Sequence, residues 1–489
     1  MLCIILMVAL SSHASVRLLT TATQVKTALP NAVPGDTILL ADGDYNLSWL
    51  KLSCVGTPAQ PIIIAAQNLL GARVIGSGCI TLINAAYVEF HGLDFDQPAT
   101  SSIFKLQGAH HIRISHNRFR MSKDNDTQTS KWILIGDIWE NNVCLSGHNR
   151  IDYNLFENKQ DGGALIVIDG AHGTPGGISV HDTIDHNIFR VNGPRANNEK
   201  ETVRIGVSDL SMDTSYTVVA YNLFEDCDGD PEVVSVKSCC NTINNNTFRR
   251  CLGTLCLRHG FNNTAIGNIF LGENKTAVYE GEIIGCGGIR IYGKDHTVSN
   301  NYFENLTGSK WDPAIALTCG DAINTVSASS KHFLPENVQV TNNTFVRCHS
   351  TLECGFTNNG KYTKKPLNCF FTANTVVANQ QAILMYQTLN SSNVAFSGNS
   401  AYLEGDASIG ISYTPAQFNL LTTAPVLPDL TGRIMTDNNA GPYASEQLWP
   451  DALENVKLYG NKCKKMIYNG QLVIIHDKGA YTILGARIK

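Results

Sequence analysis

Short runs of β-branched and aliphatic residues recur along the chain, as in HIRIS at 111–115, VVSV at 233–236 and GIRIY at 288–292. No helical periodicity fills the gaps between them, so each run predicts a short strand. A polar signature travels with the strands. The unit x-Asn-x-Phe appears at Asn117, Asn154, Asn187, Asn222, Asn246, Asn268, Asn301 and Asn343, then weakens to Asn374 and Asn399. An earlier HGLDF at Gly92 is a degenerate first copy. Successive spacings are 25, 37, 33, 35, 24, 22, 33, 42, 31 and 25 residues. The shortest cluster at 22–25, and the longer ones read as that base length plus a loop.

Strands repeating at this interval describe the coils of a β-solenoid. The expected fold is all-β: a right-handed parallel β-helix with Asn stacked at one turn of each coil and Phe stacked in the core. A β-propeller needs about forty residues per blade and a hairpin signal in each, and neither is visible. Thr21–Asn31 (TATQVKTALPN) predicts a short N-terminal helix that would cap the open solenoid edge, where strand groups are otherwise unpaired. The repeat fades beyond about residue 405, and 464–489 reads as hairpin-like strand pairs with Asn-Gly and Lys-Gly turns. The expected organisation is a signal peptide at 1–14, a β-helix domain at 15–445 and a tail of short strands, without catalytic role, at 446–489.

The signal expectation rests on residues 2–10 (LCIILMVAL), an apolar run followed by Ser-Ser-His-Ala, with cleavage near Ala14 and without the usual basic lead. The run is too short to span a bilayer and no later segment reaches eighteen apolar residues. The protein is therefore expected to be secreted or periplasmic, with no transmembrane segment. Its net charge of −5 gives no footprint for nucleic acid, and a polyanionic partner would need a local basic patch. Fifteen cysteines are scattered without zinc-type spacing. Several fall at inward strand positions, which favours buried thiols, with a few disulfides as the alternative in an oxidising compartment. Oligomeric state is not legible.

Candidate chemistry concentrates in DCDGDPEVVSVKSCC, residues 226–240. Asp226, Asp228, Asp230 and Glu232 place four carboxylates in seven residues, which suits Ca²⁺ or another hard cation, although the spacing is not that of an EF-hand. A solvated acidic turn would look the same. Lys237 follows with opposite strand parity to Glu232, so a bend must intervene if both face one cleft. Arg258 lies twenty-one residues further on, and with a local coil of 22 residues it should sit almost directly above Lys237. Two stacked cations beside carboxylates invite an anion. A cation that neutralises a uronate carboxylate, a base for its C5 proton and a group to receive the departing O4 form the set that β-elimination needs. Neighbouring positive charges would favour the neutral amine that a Lys base must be.

The ordered segments NNEKETVRIG (197–206), DGDPEVVSVKS (228–238), GTLCLRHG (253–260) and GGIRIYG (287–293) resemble polysaccharide lyase family 6, the group of alginate lyases and chondroitinase B. The resemblance covers most of residues 20–445. It implies Ca²⁺ ligands Asn198, Asp230 and Glu232, a base Lys237 and an acid Arg258. It also implies that His259, Arg204 and Arg290 bind substrate carboxylates and hydroxyls, with Lys131 in SKWILIG a further sugar contact. The family usually has Glu where this chain has Asp230; the shorter arm could weaken the metal, move the ligand to Asp228 or change nothing. Asn198 is preferred to Asn197 because it precedes Glu201 by three residues. The implied partner is an acidic polysaccharide. Alginate is favoured over dermatan sulfate because the Arg of GGIR is present. Two other classes stay open: a β-helix glycoside hydrolase, which would need two acids across a cleft, and a non-catalytic carbohydrate-binding solenoid.

Overall fold

The computed structural model describes residues 14–98, 102–121, 129–136, 144–171, 177–324, 331–386, 393–410 and 417–444, together with the backbone of three tail strands. The apolar run of the expected signal lies outside the described residues.

Three sheets wind around one core. Each coil contributes a strand to a first sheet, turns a corner at the ladder Asn, adds a strand to a second sheet, and then adds one to a third. In one coil these are Val218–Ala220, Leu223–Cys227 and Glu232–Lys237, after which Thr242–Asn244 begins the next. Among the described residues the sheets hold 14, 14 and 12 strands, and every pairing within them is parallel. This is the expected right-handed parallel β-helix.

The ladder works as its spacing predicts. The Oδ1 of Asn222 accepts from the backbone N–H and the Nδ2 of Asn187 one coil below, at 2.9 and 3.0 Å. The Nδ2 of Asn222 in turn donates to Asn246 Oδ1 at 2.9 Å. The amides therefore satisfy corner N–H groups that no strand can pair, and each is buried. The residue before each ladder Asn turns the corner at positive φ, as at Tyr153, His186 and Tyr221. In the first copy Leu93, not Gly92, holds the ladder place, for its N–H donates to Asn117 Oδ1. Two residues beyond each Asn the phenylalanines stack, from Phe95 and Phe119 to Phe303 and Phe345, with centroids 4.6–5.0 Å apart. At the corner between third and first sheets a second, broken ladder links Asn149 to Asp182 and, further on, Thr217 to Asn241, Asn263 and His296. Its varied residue types hid it from the repeat.

The capping helix spans Ala22–Ala28 and continues as a 3₁₀ turn at Leu29–Asn31. Thr21 and Gln24 form a reciprocal capping box at its start. Val25 and Leu29 are fully buried in the main core cluster, closing the first coil. At the other end, residues 421–444 run back along the outside of the second sheet. Met435 and Ala440 pack on Ile188 and Leu223, while Leu430 and Ile434 pack on Ile269, Tyr302, Val346 and Val377. Gly441 passes so close that a Cβ there would lie 2.7 Å from Ile188 Cδ1. Lys464–Tyr468, Gln471–His476 and Gly479–Thr482 form an antiparallel three-stranded sheet. The thirteen described cysteines are free thiols, most of them buried. No described helix is long and apolar enough to cross a membrane.

Candidate active site

The implied site residues gather on and beside the outer face of the third sheet, around the strands Val203–Ile205, Glu232–Lys237, Thr254–His259 and Ile289–Ile291. Ile205, Val236, Leu257 and Ile291 are in register and buried, so alternation sends Ser235 and Lys237 outward. The bend required by the parity of Glu232 is a β-bulge. Pairing steps from Glu232↔Thr254 to Val234↔Leu255, and the extra residue Val233 turns into the core. Glu232 thereby joins the outward face. A second bulge corrects the stacking expectation. Val236↔Leu257 is followed by Lys237↔His259, so His259 rather than Arg258 is the register partner of Lys237. Arg258 is the inserted residue, re-aimed as bulges re-aim side chains beside functional sites.

Each cation meets its own carboxylate. Lys237 Nζ lies 3.3 Å from Glu201 Oε1, and Arg258 Nε lies 3.6 Å from Glu232 Oε1. The buried Ser235 hydroxyl donates to Glu232 Oε2. Burial opposes the charge on Glu232, but Lys237, Arg258 and Arg290 outweigh it and hold its carboxyl at about 2. Asp230 goes the other way. Burial and the neighbouring Glu201 and Glu232 push it up to about 7, although it accepts from the N–H groups of Lys200 and Glu232 at 3.1 and 2.9 Å.

Arg258 donates to the carbonyl of Lys331 at 2.8 Å and lies 5.7 Å from the Tyr292 ring centroid. His259 Nε2 lies 2.6 Å from the same carbonyl and 2.8 Å from Arg258 Nη1. Burial, reinforced by Arg258, lowers His259 to about 3. Its ring is fully buried. Arg290 is held by Asp312 at 2.5 Å and by the Trp311 carbonyl at 2.8 Å, and is likewise buried. The structure thus brings His259 and Arg290 against the floor and wall of the site. Lys131, Asn198, Arg204 and Lys237 instead line an open cleft of about 360 Å³.

The acidic run divides. Asp226 and Asp228 are engaged by Lys275 at 2.9 and 2.7 Å, and Asp226 also by Arg250 at 2.6 Å. The other Asp228 oxygen accepts from the Leu252 N–H. A shift of the ligand role from Asp230 to Asp228 therefore has no support. Among the described residues no three Asp, Glu, His or Cys side chains converge on a metal position as they stand. The implied set needs only two carboxylates and an amide, and in kind it fits a hard cation. The buried Oε2 of Glu201 has no hydrogen-bond partner, and burial beside Glu201 and Glu232 pushes the Asp230 carboxyl up to about 7, a repulsion that a cation would relieve.

Sequence reasoning used Glu201 only as a spacing marker and passed over Ser235. Spacing gave no signal for Glu201: the third-sheet register steps from Val203 to Val234, which sets Glu201 in line with Glu232 and not with Lys237. Ser235 could have been found from strand parity alone, being outward on the same strand as Lys237. The contact of Lys331 with Arg258 crosses a long loop and leaves no trace in local spacing.

The sequence model of the chondroitinase B family matches residues 19–401. No curated protein matches the chain. Among solved structures, the alginate lyase AlyGC of polysaccharide lyase family 6 is 25% identical with a TM-score of 0.70 over 83% of this chain. This chain spans only 53% of that lyase's length. A mannuronic-acid-specific family 6 lyase from the human gut microbiota is 24% identical, with a TM-score of 0.70, covering 90% of this chain and 98% of its own. Pedsa3628 from Pseudopedobacter saltans is 20% identical, with a TM-score of 0.66, covering 88% and 99%. The match across most of the β-helix shows that the chain belongs to the chondroitinase B family, polysaccharide lyase family 6.

Proposed function

We propose that this protein cleaves an acidic polysaccharide, alginate, by β-elimination at the outer face of the third sheet. One observation carries the reading: Lys237 and Arg258 sit on adjacent coils, each held by a carboxylate, beside a cleft in which Lys131 and Arg204 stand among Asp169, Glu199 and Asp209. Lys131 and Arg204 would receive uronate carboxylates. Lys237 in its neutral form takes the C5 proton onto Nζ. The C5–H electron pair becomes the C4=C5 double bond, and the C4–O4 bond breaks with its pair on O4. Arg258 gives O4 a proton and is restored from solvent. Glu201 holds Lys237 in place, and Ser235 fixes Glu232 so that it aims Arg258. Asn198, Asp230 and Glu232 would hold a Ca²⁺. When bound, such an ion neutralises the C6 carboxylate and so makes the C5 proton more acidic. The AlyGC and gut-bacterial relatives support alginate as substrate through what they are described as cleaving. Export follows as part of the same proposal from the apolar run at 2–10.

The test is ultraviolet absorbance of the unsaturated uronate end on alginate, with Ca²⁺ and then with chelator. A rise that chelator suppresses supports both the elimination and the ion. A rise that chelator leaves unchanged removes the ion, and no rise on alginate removes the substrate. The family model's name keeps dermatan sulfate as the second reading, and the same assay on that polymer decides between them.

A further inference from the structure

The acidic run presents two places for a cation, and the chain fills one of them itself. Lys275 Nζ reaches Asp226 Oδ1 at 2.9 Å, Asp228 Oδ2 at 2.7 Å and the Arg250 carbonyl at 2.8 Å. Three oxygens around one ammonium are the donors a bound cation would use. The lysine is firmly placed. Its carbonyl accepts from the Thr307 hydroxyl, and it opens a hairpin, Thr276–Tyr279 with Glu282–Gly285, whose Ala277 and Ile284 pack on the core. Asp226, Asp228 and Lys275 also line an open groove of about 810 Å³, so ions in solution have a route to the pair of carboxylates. The two halves of the run are separated at Gly229. A Cβ there would lie 2.9 Å from both Lys200 Cγ and Lys200 O, so the loop carrying Asn198 packs directly against the turn.

Resting on the lyase reading above, we infer that Lys275 is a built-in cation that occupies the Asp226–Asp228 half of the acidic run and so confines a single Ca²⁺ to Asp230 and Glu232. Four carboxylates in seven residues would otherwise offer overlapping sites two residues apart, and an ion at the first would sit away from Lys237 and Arg258. Lys275 acts as a positioning residue. It sets where the ion goes and does not itself touch substrate.

Calcium titration calorimetry on the full chain tests this. The parent and Lys275→Arg should each bind one Ca²⁺. Lys275→Met should bind a second, and adding Asp228→Asn to that variant should return it to one. Asp228→Asn in the parent background, which does not depend on how Lys275→Met folds, should leave the single Ca²⁺ affinity within about two-fold. One ion bound by a folded Lys275→Met variant would overturn the inference. So would a loss of affinity beyond about ten-fold in Asp228→Asn alone, which would make Asp228 a ligand. A parent that binds no Ca²⁺ would remove the metal reading first and this inference with it, and the parent titration shows that separately.

Discussion

The outer faces of the second and third sheets share one scaffold and treat charge in opposite ways. On the second sheet, Arg118 meets Asp94 at 2.7 Å, Arg190 meets Glu225 and Asp437 at 2.7 Å each, and Arg249 meets Glu273 at 2.6 Å. The strands there keep an unbroken register from coil to coil. On the third sheet the register breaks twice around one strand pair. Around that pair the contacts of Lys237, Arg258 and Arg204 with Glu201 and Glu232 open to 3.3, 3.6 and 3.8 Å, although Arg290 keeps Asp312 at 2.5 Å, and Glu201 Oε2 and Arg204 Nε are buried without hydrogen-bond partners. Orphaned atoms occur on both faces, Asp96 Oδ1 and Arg120 Nε among them, but on the second sheet those two groups still close an ion pair at 2.9 Å, whereas on the third Glu201 and Arg204 stay 3.8 Å apart. Buried polar groups left short are costly and mark places where stability has been ceded to function.

The comparison is broken most severely at the two cations. Lys237→Ala should lower turnover about 10³-fold or more with little change in melting temperature, and Arg258→Ala should do the same. Steady-state kinetics beside a thermal melt checks both. Near-normal turnover in either would place the chemistry elsewhere.

The regular part of the molecule should respond in the opposite sense. Asn222→Leu leaves the N–H and Nδ2 of Asn187 without their acceptor inside the protein. It should cost about 2–4 kcal/mol of stability while leaving kcat of the surviving folded enzyme unchanged. Denaturant unfolding measures the first quantity and active-fraction kinetics the second.

Acid should act through buried histidines. Burial lowers His116, His259 and His332 to about 3 and His296 to about 4, from an ordinary value of 6.5. The unfolded chain therefore binds protons that the native state refuses. This contribution to stability is present above about pH 6.5 and is lost as pH falls from there towards 3–4. Asp182 and Asp230, raised by burial to about 6 and about 7, work the other way over pH 7 to 4 but are fewer. The melting temperature should fall between pH 7 and pH 4.5, and a rise over that interval would contradict the assignment of neutral buried imidazoles. The smallest effect belongs to a well-formed but exposed pair. Arg347→Ala breaks two contacts with Glu404, at 2.9 and 2.8 Å, yet should cost less than about 1 kcal/mol.

The same contrast decides what could be read from the chain alone. The Asn and Phe ladders repeat one residue type at one corner, so their spacing exposed the solenoid, its coil length and its core. Asp230, Glu232, Lys237 and Arg258 were legible because they lie within a coil of one another and resemble a known pattern. The bulges at Val233 and Arg258 were not, since a one-residue insertion in a strand of six has no signature in composition. Strand parity flagged the first as a necessary bend without locating it. The partner of Asp228 is Lys275, two coils away and at the foot of an inserted hairpin, and pairings of that kind depend on the fold already being known. The strap at 421–444 was invisible for a further reason. It packs on the outward side chains of the second sheet, whose apolar members, such as Ile188 and Leu223, look like ordinary strand residues until something covers them.

The central claim is that the third sheet breaks a uronate chain by elimination. Mass spectrometry of alginate products formed in water labelled with heavy oxygen tests it most directly. The account predicts oligosaccharides with one unsaturated end, lighter than the hydrolysis product by one water and carrying no label from solvent at the break. Saturated products carrying heavy oxygen would contradict it, because they would mean that water, and not loss of the C5 proton, severs the bond.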